Sequence, residues 1–237
     1  MSTRHHKAVS LISGGLDSTV LAYNLMDSGW DVHLLSVNYG QRHKRELEFA
    51  QRTAAALKVE HRIVDLTSLN QLLQGSALTD AAVDVPHGHY AADNMAITVV
   101  PNRNSILLAI ATGWAVSLGA KRVAFAAHSG DHAIYPDCRP EFVSALNAAE
   151  RLANEGFADE DFRIFGPYLN VTKAEIVALG HALRVPFVDT WSCYEGGEIH
   201  CGKCGTCVER AEAFALAGVN DPTEYMEPDF WKTALKA

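Results

Sequence analysis

The sequence has 237 residues, 48% of them hydrophobic, and 28 acidic against 20 basic residues give a formal net charge of -8. That length suits one large α/β domain, or one domain with a small appendage, and the apolar content is enough for a real core. The acidic balance argues against a nucleic-acid backbone as the main partner, because phosphate binding needs clusters of Lys and Arg. The densest basic run, Arg42, His43, Lys44 and Arg45, reads as a solvated helix start before it reads as a patch. Met1 to Lys7 is polar and unlike a signal peptide, and no stretch is long and apolar enough to span a bilayer. A cytosolic protein without a membrane partner is expected. There, five cysteines point to metal ligands or reactive thiols rather than disulfides.

In chain order, short β-type runs alternate with helical ones, which predicts a parallel sheet covered by helices. Ala8–Ile12 is the first strand. A helix follows from Leu16, with Leu16, Val20 and Tyr23 at helical spacing and Gly29 as its stop. Val32–Val37 is the second strand. Leu47, Ala50, Ala54 and Leu57 mark the inner face of the second helix, and His61–Leu66 is the third strand. Thr67–Val100 is irregular, and such a stretch inside a domain is usually functional or mobile, so part of it is expected to act as a lid. Asn102–Leu118 is a long helix closed by Gly119, and Arg122–Ala127 is the fourth strand. Pro140–Asn154 is a helix, Phe162–Phe165 a short strand, and Thr172–Leu183 a helix capped by Thr172. After Pro186 the character changes: a cysteine cluster precedes a short helix through Ala211–Leu216. Residues 1–237 are thus expected to form one α/β domain, with 186–237 as a C-terminal appendage.

The first strand delivers the chain to Ser13-Gly14-Gly15-Leu16-Asp17-Ser18. Two glycines let the backbone approach a ligand and adopt positive φ. The helix beginning near Asp17 turns its free N–H groups and dipole toward the loop, which makes an anion site. Ser13, Ser18 and Thr19 add hydroxyl donors. There is no GxxxxGK[ST], so the loop is not a Walker P-loop, and it is not GxGxxG. Asp17 beside phosphate would be repelled unless it holds Mg²⁺ or caps the helix. A plain glycine turn capped by Asp17 or Ser13 is the competing explanation.

Cys201, Cys204 and Cys207 form CxxCxxC, with Cys193 eight residues earlier. Four thiolates can close the tetrahedral shell that structural Zn²⁺ takes. Gly202 and Gly205 permit the tight turns this needs. An iron–sulfur cluster also takes four cysteines; zinc is the preferred reading, as a structural metal with no open position. His200 is adjacent and not needed as a ligand.

The hexamer from Ser13 to Ser18 matches the SGGxDS signature of the PP-loop ATP pyrophosphatase superfamily. That resemblance implies an open, mainly parallel sheet with helices on both faces, of the adenine nucleotide alpha hydrolase type, carrying a small four-cysteine zinc loop. It implies ATP bound along Ile12, Ser13, Gly14, Gly15, Leu16, Asp17, Ser18, Thr19 and Val20. Five further segments narrow it: Tyr39-Gly40-Gln41-Arg42-His43, Pro101-Asn102-Arg103-Asn104, the run Tyr135–Phe142, Thr172-Lys173 with Glu175-Ile176, and Trp191-Ser192-Cys193-Tyr194 leading into CxxCxxC. Together, over nearly the whole chain, they resemble the 7-cyano-7-deazaguanine synthase family of queuosine biosynthesis. The resemblance implies a ligase that uses ATP and ammonia to convert the carboxylate of 7-carboxy-7-deazaguanine to a nitrile, through an amide.

Within that reaction, Asp17 is expected at the phosphates, with Mg²⁺ as an accompanying ion. Arg103 and Lys173 are candidates for neutralising phosphate charge. Asp131 or Asp137 could accept from the N–H pair of a guanine-like edge, and Arg139 could clamp a carboxylate or phosphate. For Arg139 the alternative is a surface helix start before Pro140, and for Arg103 a capping or ion-pair role. Cys138 is expected to line the pocket. The rival enzyme readings are a tRNA thiolase or lysidine-type ligase, disfavoured by the acidic charge, and a NAD- or GMP-type synthetase, which lacks such a cysteine cluster. A zinc-ribbon interaction module is the non-enzymatic rival. A homodimer is an expectation that no motif carries.

Overall fold

Five short strands, β1 (Lys7–Leu11), β2 (Asp31–Asn38), β3 (Glu60–Asp65), β4 (Arg122–Ala124) and β5 (Arg163–Phe165), form one parallel sheet in the computed structural model. The structure describes residues 6–42, 45–73, 75–80 and 82–235. His43 and Lys44 of the basic run and of the Tyr39 motif lie outside the described residues. The strand order is β3-β2-β1-β4-β5. β1 is central, and its Ala8, Val9 and Ser10 are fully buried, as a strand covered on both faces requires. Winding reverses between β1 and β4, and such a reversal opens a crevice at the carboxyl ends of the strands.

Helices cover both faces. α1 (Leu16–Asp27), α5 (Lys173–Ala182) and α6 (Gly205–Ala217) pack one core through Leu16, Val20, Ile176, Val177 and Phe214 against Ile12 and Leu34. α3 (Arg103–Leu118) and α4 (Pro140–Ala153) pack the other, through Leu108, Ala111, Ala115 and Val143 against Val9, Leu35, Val123 and Ile164. α2 (Arg45–Leu57) and the short α7 (Phe230–Ala234) complete the set among the described residues; α7 is not anticipated by the sequence pattern. The predicted stop at Gly119 is a left-handed cap with φ 64°. Thr172 caps α5 in a capping box: its Oγ1 accepts the Glu175 N–H at 3.3 Å, and Glu175 Oε2 accepts the Thr172 N–H at 2.8 Å.

Three regions add detail to the pattern-based reading. β4 ends at Ala124 rather than Ala127, because Ala126 and Ala127 leave the ladder to line the crevice. Within 67–100 the chain forms two 3₁₀ turns, Thr67–Gln71 and Asp93–Thr98, and buries Leu78, Val85, Tyr90 and Met95. This stretch is stitched to the cysteine loop, since Gly88 N–H donates to the Lys203 carbonyl at 3.1 Å. Finally, the 186–237 segment packs onto the rest of the domain. α6 starts at Gly205, inside the cysteine motif, and gives Ala213 and Phe214 to the main core. Its Arg210 is fully buried, donates to Thr190 Oγ1 at 2.7 Å and to the Phe187 carbonyl at 3.1 Å, and pairs with Asp221 at 3.4 Å. No helix of the described residues is long and apolar enough to cross a membrane.

Candidate active site

β1 ends where Ile12 N–H donates to the Leu35 carbonyl at 2.9 Å, and the glycine turn begins there. Gly14 has φ +83°, and a Cβ on it would lie 2.2 Å from the Glu46 carbonyl oxygen. Both the left-handed conformation and the close approach to α2 demand glycine. Ser13 Oγ accepts the Gly15 N–H at 3.2 Å, Ser18 Oγ accepts the Ser13 N–H at 3.2 Å, and the two hydroxyls lie 3.0 Å apart. Gly15 is the N-cap of α1 and supplies no side-chain cap, so the N–H groups of the first turn are left for a ligand. Ile12, Ser13, Gly15, Leu16, Asp17 and Ser18 line a cleft of about 280 Å³. Gly14, Thr19 and Val20 of the predicted segment lie behind it; Thr19 and Val20 are buried.

One flank of the cleft is a charged chain of contacts. Lys173 Nζ, at the start of α5, lies 3.1 Å from Asp17 Oδ2 and 2.7 Å from Glu209 Oε2 on α6. Burial alone would raise the Asp17 pKa, but Lys173 and His128 together hold it below the ordinary carboxylate range. Burial would lower the Lys173 pKa, yet Asp17 and Glu209 hold it above its usual value. Glu209 is shifted upward by burial despite Lys173. His128 Nδ1 accepts the Gly130 N–H at 3.1 Å, and its Nε2 lies 3.6 Å from both Asp131 Oδ1 and Glu209 Oε1. Asp17 Oδ1 has no hydrogen-bond partner among the described residues. Asp17 and Lys173 are therefore brought together at the loop.

The other predicted residues separate. Arg103 lines the cleft with its guanidinium 5.8 Å over the Tyr135 ring. Asp131 also lines it, but both oxygens are occupied: Oδ1 accepts the Tyr90 hydroxyl at 2.9 Å and Oδ2 the His128 N–H at 3.0 Å. Asp137 lies outside the cleft and caps α3, accepting the Asn104 N–H at 3.0 Å. Arg139 is exposed at the start of α4 and donates from Nε to the His132 carbonyl at 2.9 Å, so the surface alternative describes it and the clamp does not. Pro140 takes the first helical position of α4, and Arg139 does not line the cleft. Cys138 lines the cleft, and burial, with Asp131 and Asp137 nearby, pushes its thiol pKa up, away from the thiolate a nucleophile needs.

The four cysteines converge below Trp191. Cys193, Cys201, Cys204 and Cys207 are buried, and their sulfurs lie within 4.8 Å of one another. The Cys201 and Cys207 sulfurs are 4.0 Å apart; a tetrahedron of 2.3 Å zinc–sulfur bonds has edges of about 3.8 Å. Cys193 Sγ accepts the Cys201 N–H at 3.4 Å, and Cys201 Sγ accepts those of Lys203 and Cys204 at 3.3 Å. Backbone donors aimed at sulfur stabilise thiolates, so the set fits a metal ion. His200 is buried rather than a ligand; its Nε2 accepts the Ser192 N–H at 3.0 Å and its ring stacks 4.2 Å from Trp191. Trp191 N–H in turn donates to the Gly14 carbonyl at 2.9 Å, joining the cysteine region to the Ser13–Ser18 loop.

A family model described as "Queuosine biosynthesis protein QueC" matches residues 7–218. The chain belongs to the QueC family. Relatives named 7-cyano-7-deazaguanine synthase include that of Rhizobium etli, 53% identical over 97% of this chain and 96% of the relative. That of Sinorhizobium fredii is 54% identical over 98% of this chain and 97% of the relative. Similar solved structures include NMN synthetase from Francisella tularensis, at TM-score 0.48 and 14% identity over 97% of this chain and 85% of that one. An NH3-dependent NAD synthetase from Campylobacter jejuni has TM-score 0.45 and 18% identity over 78% and 66%.

Sequence reasoning missed Glu46, Tyr90 and Glu209, all of which line or border this QueC-family cleft. Glu46 stands in a run of charges that reads as a solvated helix start. Tyr90 belongs to the irregular stretch, which has no periodicity to read. Glu209 lies two residues past Cys207, where only the path of α6 brings it to Lys173.

Proposed function

We propose that this chain is an ATP-dependent ligase that converts 7-carboxy-7-deazaguanine and ammonia to 7-cyano-7-deazaguanine in queuosine biosynthesis. The observation that carries the reading is the uncapped helix start at Ser13–Ser18 opening on the same cleft as Asp17, Lys173 and Arg103, in a QueC-family chain. A carboxylate oxygen is a poor leaving group until phosphorus is attached. The substrate carboxylate attacks ATP, ammonia adds to the activated carbonyl, and the oxygen leaves on phosphorus, giving the amide. A second activation, now of the amide oxygen, lets that oxygen leave while nitrogen gives up its two protons, and the nitrile results.

In this reading the α1 amides, Ser13 and Ser18 hold phosphate oxygens. Lys173, beside Asp17, offsets the charge that develops on the leaving group. Mg²⁺, which would bring further positive charge to the phosphates, fits against Asp17, whose Oδ1 is unpartnered among the described residues. Tyr39, Tyr90, Tyr135 and Tyr194 offer faces for the flat deazapurine, and their bulk excludes the water that would hydrolyse an activated acid. Zn²⁺ on the four cysteines is structural, with no open position for chemistry. Reduced thiols suit work in the cytosol. Incubation with ATP, ammonium and the carboxylic acid, followed by mass spectrometry, should yield the nitrile; acid recovered unchanged with ATP intact would overturn the proposal.

A further inference from the structure

Glu46 stands in the first turn of α2, lines the cleft, and has no hydrogen bond or ion pair from its carboxylate among the described residues. Such isolation is unusual for a half-buried acid, since ionised groups drawn out of water are normally paired. Burial pushes the Glu46 carboxyl up to about 7, with Arg103 pulling the other way. Arg103, Tyr39 and Tyr194 are its charged and titratable neighbours on the elements around it. Arg103 lies near enough to feel Glu46, yet no salt bridge within 4.0 Å joins them. The two side chains therefore present a donor fork, engaged toward the Tyr39 hydroxyl, and an unpaired acceptor pair side by side.

Each of the other acids facing this space has a partner for its carboxylate, although Asp17 keeps Oδ1 unpartnered among the described residues. Asp131 accepts from Tyr90 and His128, and Asp17 and Glu209 share Lys173. A 2-amino-4-oxopyrimidine edge offers one carbonyl acceptor beside two N–H donor groups, the ring N–H and the exocyclic amine. A guanidinium next to a carboxylate is the complementary pattern. The tyrosines around Arg103 supply the flat walls that such a ring needs, and Arg103 itself lies over Tyr135.

We infer that Glu46 is the specificity-determining residue of this site, accepting the ring N–H and exocyclic amine of the guanine-like edge while Arg103 donates to its carbonyl. This rests on the deazapurine reading above and deepens it. The ionised carboxylate that empty burial disfavours is the form the two donors stabilise, so binding relieves a strain already present in the free site.

The test compares 7-carboxy-7-deazaguanine with its analogue bearing hydrogen in place of the exocyclic amine, following nitrile formation at saturating ATP. Wild-type enzyme should prefer the parent acid by about 100-fold in kcat/KM, and Glu46→Gln should lose about 100-fold on the parent while keeping a preference of no more than about threefold. The KM for ATP should not move. If wild type makes no nitrile from the parent, the proposed function fails and this inference with it. If it makes nitrile but accepts both acids equally, the inference alone is overturned, with no variant needed. It is overturned too if Glu46→Gln keeps the wild-type preference, if its defect lies in the ATP KM, as a ribose contact would give, or if excess ammonium rescues it, as a proton-transfer role would give.

Discussion

The phosphate loop and the cysteine loop are the same local device put to two uses. Each is a glycine turn that runs into a helix without a side-chain cap, α1 after Gly15 and α6 after Cys204. Each hinges on a left-handed glycine pressed against backbone. A Cβ on Gly14, at φ +83°, would meet the Glu46 carbonyl oxygen at 2.2 Å, and one on Gly202, at φ +81°, would meet that of Glu227 at 2.4 Å. The difference lies in what surrounds each turn. The first loop lines the cleft with Ser13, Asp17 and Ser18. In the second the Lys203 and Cys204 N–H groups are consumed by Cys201 sulfur. An open ring of donors is a place for a mobile anion; donors turned inward on thiolates make a permanent anchor.

Stripping the anchor should have the largest effect. Metal analysis should find about one zinc per chain. Removal by a strong chelator forfeits a binding free energy on the order of 10 kcal/mol and should lower Tm sharply, taking activity with it, because Trp191 and Glu209 reach the cleft from this region. A metal-free protein that melts at the wild-type temperature would break the comparison. On the open loop the effect should be catalytic instead. Asp17→Asn should cost about 10³-fold in turnover, roughly 4 kcal/mol, while Tm stays close to wild type; ordinary turnover would remove Asp17 from the phosphate site.

Smaller effects sharpen the contrast. The folded-state pKa of Glu46, about 7, lies above its ordinary 4.5, so the folded chain holds this proton more tightly than the unfolded one. The stability this group contributes is present below the ordinary value and is lost as pH rises through about 7. Glu46→Gln should therefore be more stable than wild type at pH 8 by about 2 kcal/mol, allowing for partial solvent screening, with the gap closing toward pH 4. Thermal melts at the two pH values check it, and an equal gap at both would contradict the assignment. The smallest effect should come from Cys138→Ser. A buried thiol held protonated is not the nucleophile, so rates should stay within roughly twofold, and complete loss in a folded protein would argue for a covalent role.

Much of this was legible without coordinates. Strand-turn-helix order placed Ser13–Ser18 correctly because the anion loop is made by consecutive residues, and the CxxCxxC spacing fixed the metal-type cluster for the same reason. What the sequence leaves open turns on partners far along the chain. Asp131 or Asp137 is a candidate to read the base; Asp131 accepts from Tyr90 and His128, and Asp137 accepts from the start of α3. For Arg139 a clamp and a surface helix start are both open in sequence, and the turn into α4 leaves it at the surface. Nothing in the run from Arg42 to Glu48 distinguishes Glu46 from its exposed neighbour Glu48.

The sequence by itself therefore determined the alternating α/β pattern, the glycine turn between β1 and α1, the four-sulfur cluster and, through their combination, the family. These depend on local backbone conformation and on short spacings, which a linear chain displays directly. Only the tertiary structure decided which carboxylates are already engaged and which is free, since that depends on contacts such as Lys173 to Glu209, 36 residues apart. It also decided that the C-terminal segment is a wall of the cleft. α6 must bury Arg210 and Phe214 against the main core, and doing so carries Glu209 to the phosphate loop.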